Sequence, residues 1–127
     1  MKKETLVTDM FKINVQARLW HWATPVAQHH TTFEAFLAEN EQNMDRLVES
    51  ILGNTEEFDV SAVQVSDAVM GDYDLSKAKA TILEYRDTVH AAKKKLSDDS
   101  VLEEEMSVIL DDVLESCSKT MYLLKLS

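Results

Sequence analysis

Residues 20–53 read WHWATPVAQHHTTFEAFLAENEQNMDRLVESILG, and the winding of this stretch decides the fold. On a helix at ~100° per residue, Phe33, Phe36, Leu37, Met44, Leu47, Val48, Ile51 and Leu52 gather on one side. That is the pattern of a helix facing a core. The polar residues are sorted too: His30, Glu34, Glu41, Asp45 and Glu49 fall in one stripe about 100° wide. The spacing predicts a helix from about Gln28 to Leu52, stopped by Gly53-Asn54.

His30/Glu34 and Asp45/Glu49 are each one turn apart, so each pair presents two metal-ligating side chains together. The two pairs lie eleven residues apart, or roughly 16 Å along the axis. A single ion with bonds of ~2.0–2.2 Å cannot join them on one helix. An antiparallel second copy can. The midpoint of 30 and 49 falls between residues 39 and 40, and so does that of 34 and 45. A two-fold axis beside Glu39 and Asn40 therefore sets His30 and Glu34 of one chain opposite Glu49 and Asp45 of its partner, giving two equivalent sites per dimer.

Working outward, Thr5 to Trp22 reads as a first helix, with Leu6, Met10, Ile13, Ala17 and Trp20 at helical spacing. A second seam, Phe11, Val15, Leu19 and Trp22, widens its apolar face. Pro25 ends this helix in a short connection, which implies antiparallel neighbours. Residues 55–74 mix Val with Ser and Asp. Here the pattern leaves open an extended run over Val60 to Val65 and a short helix over Ser61 to Met70. A link this long carries the chain back along the bundle, so that helices two and three run parallel.

Asp74 is the expected N-cap of a third helix carrying Leu75, Ala78, Ile82, Tyr85, Val89, Ala92 and Leu96. After the break at Ser97 to Ser100, Ser100 and Glu103 form a capping-box pattern for a fourth helix. That helix continues through Leu102, Met106, Ile109, Val113, Cys117 and either Thr120 or Met121 to Leu126. Joined short, long, short, the four describe an all-α four-helix bundle with one crossover, a single domain over 1–127.

Two glycines and one proline among 127 residues suit such a fold. No apolar run approaches the length of a membrane span, and the N-terminal segment lacks signal-peptide features. The one cysteine, Cys117, excludes an internal disulfide and suits the reducing cytoplasm. A net charge of −10 argues against DNA binding. The basic cluster Lys93 to Lys95 is explained by the dipole at a helix end.

The spacing His30-x3-Glu34-x10-Asp45-x3-Glu49, preceded by His21-Trp22 at the end of helix one, resembles the Dps proteins, or mini-ferritins. The resemblance covers residues 10–53 well and the last helix weakly. It implies a ferritin-like bundle that oxidises, and in a closed shell stores, Fe(II) at a di-iron site split across a dimer two-fold. It also implies a homo-oligomer, from the homodimer up to a dodecamer. Carried over by position, His21, His30 and Glu34 come from one chain and Asp45 and Glu49 from the other, with Trp22 and His29 beside the site or at the interface. This chain departs from the family in Glu34, where Asp is usual, in a shorter His21-to-His30 connection without Gly, and in lacking a basic DNA-binding tail. His29 competes with His30 as donor. A Trp-His-Trp segment followed by a histidine nine residues on also resembles small proteins of tailed phages.

Imidazole and carboxylate donors suit Fe(II), and equally Zn(II) or Mn(II). Each donor also has a plainer reading. The acidic stripe is a solvated face, and His21 is a hydrogen-bonded helix-end residue. Trp20 and Trp22 are core or interface, and His29 is exposed or a turn partner. Asp87 and His90 are a surface pair, and Cys117 and the methionines fill the core. On those readings the chain is a metal-free helical interaction protein. An all-helical nucleotide pyrophosphohydrolase requires paired acidic motifs, and only Glu84-Tyr-Arg-Asp87 fits. Two glycines build neither a phosphate-binding loop nor a nucleophile elbow.

Overall fold

In the computed structural model, which describes residues 3–54, 57–65 and 73–126, the apolar spacings become four helices. They are α1 (Lys3–Ala23), α2 (Ala27–Asn54), α3 (Leu75–Asp98) and α4 (Glu104–Lys125). No strand occurs among the described residues. Side-chain bonds between helices give their directions. Asn54, Arg46 and Glu39 of α2 meet Glu105, Asp112 and Ser116 of α4 in reverse order, and Lys93 and Arg86 of α3 meet Asp111 and Ser118 of α4 likewise. Both α2 and α3 thus run antiparallel to α4 and parallel to each other, as a long crossover requires. They occupy opposite corners: α2 packs on α1 and α4, while α3 packs on α4 and, more lightly, on α1.

The core is filled by one stripe from each helix, including Leu6, Met10 and Trp20 of α1, Phe33, Phe36 and Leu47 of α2, Ile82 and Val89 of α3, and Met106, Leu110 and Val113 of α4. Cys117 is buried among them, Thr120 rather than Met121 takes the next inward position, and Leu124 follows it into the core. Each large side chain so enclosed contributes about 1.5–3 kcal/mol. The apolar faces are narrower than the spacing implied. Phe11 and Trp22 of the second α1 seam are exposed, and so is Leu52 of α2. A corner helix buries only the arc turned toward two neighbours, and these residues lie beyond it.

Among its described residues the crossover holds one 3₁₀ turn, Val60–Ala62, in place of the extended run considered for Val60 to Val65. Asp59 shapes it by accepting from the Ser61 amide, while its own amide donates to Glu4 of α1 at 2.9 Å. The alternative helix to Met70 reaches beyond the described residues. Asp74 caps α3 as expected, accepting from the amides of Ser76 and Lys77. Ser100 does not open α4. It adopts φ 58°, and the bonds from Val101 N–H to the Leu96 carbonyl and from Ser100 N–H to the Ser97 carbonyl close α3 in a left-handed cap. Glu103 stands before α4 and makes no side-chain capping bond. Lys93, Lys94 and Lys95 each pair with an aspartate, Asp111, Asp98 and Asp99 respectively, so ion pairing accompanies the dipole effect assigned to them. No helix among the described residues is long and apolar enough to cross a membrane.

Candidate metal centre

The α1–α2 connection builds a cluster at one end of the bundle. In an uninterrupted helix the His21 carbonyl accepts from the amide of residue 25, but that residue is Pro25 and has no N–H. His30, in the first turns of α2, supplies the missing donor: its Nδ1 lies 2.6 Å from the His21 oxygen. His21 returns the contact, with Nδ1 3.0 Å from the His30 carbonyl. A carbonyl only accepts, so each Nδ1 carries a proton, and the neutral form of each ring has its lone pair on Nε2. That is how metal-ligating histidines are commonly oriented. The rings stack with centroids 3.9 Å apart and planes inclined by 24°.

Glu34, one turn beyond His30, completes the group. One ligand atom from each of His21, His30 and Glu34 lies within 4.8 Å of the others. His21 is half-buried, while His30 and Glu34 are exposed, so a cation can approach from solvent. Among the described residues, no other trio of His, Cys, Asp or Glu comes this close. Glu84 and Asp87 therefore gather no third ligand among the described residues, and Asp87 and His90 are both exposed.

Asp45 and Glu49 do not join the cluster within one chain. They lie exposed toward the other end of α2, Asp45 on the rim of a groove lined by Val7, Phe11, Met44 and Val48. Glu39 and Asn40, at the mirror point of the spacing, face elsewhere: Glu39 binds Ser116 and Lys119, and Asn40 is buried. At that level the outward residue is Ala38. His29 corrects the expectation of an exposed residue, for it is only 3% exposed. It falls on the same stripe as Phe33 and Phe36, turned away from His30, and does not compete for the site. Trp20 is buried against Phe33, whereas Trp22 is 66% exposed, with the Arg18 guanidinium 5.9 Å from its ring centre.

The middle of the bundle holds a polar group that the periodicity did not single out. Asn40 Nδ2 donates to the Met10 carbonyl and to Asn14 Oδ1, and the Tyr85 hydroxyl donates to Asn40 Oδ1 at 2.6 Å. The signal was an asparagine on the apolar stripe of α2, one turn from both Phe36 and Met44. Burial pushes the Tyr85 phenol well above its ordinary value, with Cys117 and Asp9 adding to the rise. Burial likewise pushes the Cys117 thiol up to about 12, Arg86 opposing slightly. Both groups are neutral at physiological pH, so this interior offers neither a thiolate nor a phenolate to a cation. Compared with protein-family models, curated proteins and solved structures, the chain matches none, and the reading of its chemistry rests on the donors themselves.

Proposed function

We propose that this chain is a ferritin-like, Dps-type protein that binds Fe(II) and oxidises it at a two-metal centre shared by two copies. His21, His30 and Glu34 come from one copy and Asp45 and Glu49 from the other. The observation that carries the reading is the cross-braced histidine pair. Each Nδ1 is spent on the other residue's carbonyl, and a Glu34 carboxylate oxygen lies within 4.8 Å of a ring nitrogen of each. Nitrogen and carboxylate donors of this kind fit Fe(II), with Zn(II) and Mn(II) as substitutes.

The ring geometry favours two ions over one. Planes inclined by only 24° at a 3.9 Å separation share no point at bonding distance from both nitrogens. Without rotation, each imidazole serves its own ion, and paired metals sit ~3.5–4 Å apart in two-metal sites. Two cations exceed what Glu34 alone neutralises, and the partner's carboxylates supply the remaining charge. Carboxylate-rich surroundings stabilise Fe(III) over Fe(II), which makes oxidation by dioxygen or peroxide favourable. The residues' part is to hold the substrate iron and accept its increased charge.

The test is anaerobic titration with Fe(II), exposure to air, and measurement of ferric absorbance. The expected initial rate exceeds that of buffer and falls by at least about tenfold in His30→Ala and Asp45→Ala. A rate equal to buffer, unchanged by Asp45→Ala, overturns the oxidation reading; if the protein also takes up no metal, the metal-free helical interaction protein is what remains.

A further inference from the structure

The geometry points to metal-gated pairing: two copies join through the outer face of α1 and α2 only when divalent cations lie between them. The inference rests on the metal reading above and adds its regulation. Among the described residues this face is covered only in part, Phe58, Val60 and Val63 of the crossover bordering its groove beside Phe11 and Asp45. Trp22 and Val26 are exposed at one end and Leu52 at the other, with Phe11 between. A head-to-tail copy brings the Trp22 end of one against the Leu52 end of the next, and both ends gain an apolar contact. Near the axis, Ala38 is small and exposed, so the helices can approach closely, with Ala38 opposite the second copy's Glu41.

Charge opposes that approach. Each copy brings Glu34, Glu41 and Asp45 to this face, with Glu49 at its edge where α2 borders Glu105 and Val108 of α4, all four exposed. None of them is in an ion pair with a described lysine, arginine or histidine, those pairs being formed by other acids. Arg18, a cation of α1 beside this face, lies over the Trp22 ring. Two such faces in contact are far closer than the Debye length of ~8–10 Å, so salt screens their repulsion poorly. Cations held by His21, His30 and Glu34 reverse the sign, because each becomes a positive site facing the other copy's Asp45 and Glu49. Binding and pairing are then linked reciprocally: cations tighten the dimer, and the dimer tightens the cations.

The experiment measures the mass of the full chain by light scattering after size exclusion, with EDTA and then with Zn(II), which cannot be oxidised. The expected masses are 14.4 kDa with EDTA and twice that with Zn(II), with the dimer at least about a hundredfold tighter when loaded. His30→Ala and Asp45→Asn are each expected to remain monomeric with Zn(II). Mixed, they restore the zinc-dependent dimer, since one of its two sites is then complete. Glu34→Gln replaces His30→Ala if circular dichroism shows lost helicity. A dimer that persists in EDTA, a zinc-bound wild-type monomer, or a mixture that stays monomeric overturns the inference. Zinc-dependent pairing without iron oxidation supports it while sinking the oxidation reading; oxidation by a dimer indifferent to EDTA does the reverse.

Discussion

At the scale of single residues, the interior and the surface cluster use polar side chains to opposite ends. Asn40 has its donors and its acceptor engaged by Met10, Asn14 and Tyr85, and a satisfied buried network of this kind favours one register of α1, α2 and α3. Tyr85→Phe removes the one hydroxyl that donates to Asn40 Oδ1 and is expected to lower stability by about 1–3 kcal/mol at neutral pH. The difference narrows as pH rises past the phenol's ordinary value of 10.0. The folded state holds that proton more tightly than the unfolded chain does, so the stability it contributes is complete below 10.0 and is lost above it. Urea midpoints of the two proteins at pH 7 and in the alkaline range test both parts. The hydroxyl's role was not readable in the sequence, where Tyr85 is one more apolar position of α3. Asn40 was the visible anomaly, but its partners come from residues 26 and 45 positions away.

At the scale of elements, the junctions carry the most information. Pro25 ends α1 and also deprives the His21 carbonyl of its donor, and that vacancy brings the His30 ring across. Proline's effect on the chain direction is local and legible; the imidazole that answers it is a tertiary contact. The α3–α4 junction shows the converse. Ser100 followed by Glu103 matches a capping box, yet Ser100 closes α3 at φ 58°. A left-handed serine costs part of the ~1–2 kcal/mol that a side chain meets there, so Ser100→Gly is expected to raise stability by roughly 0.5–1 kcal/mol. Thermal denaturation checks it, and a loss of stability would return Ser100 to the α4 cap. The motif was ambiguous because the end of one helix and the start of the next compete for the same few residues.

At the scale of the whole molecule, a ligand that binds only the folded state stabilises it by mass action. Zn(II) at a hundred times its dissociation constant is expected to add ~2.7 kcal/mol, seen as a rise in melting temperature that Glu34→Gln diminishes. An unchanged melting temperature would show that the donors do not act together. The sequence by itself determined the four helices, the long crossover and the sorting of α2 into an apolar and an acidic face, because helical periodicity and the scarcity of Gly and Pro act along the chain. It also placed His30 and Glu34 one turn apart, since α-helical geometry alone sets that separation. Tertiary structure decided the rest: which apolar seams were enclosed, that His29 turns inward, and that His21 meets His30 with each Nδ1 on the other's carbonyl. Those outcomes depend on where neighbouring helices stand, and burial is a property of the packed bundle that no single helix carries.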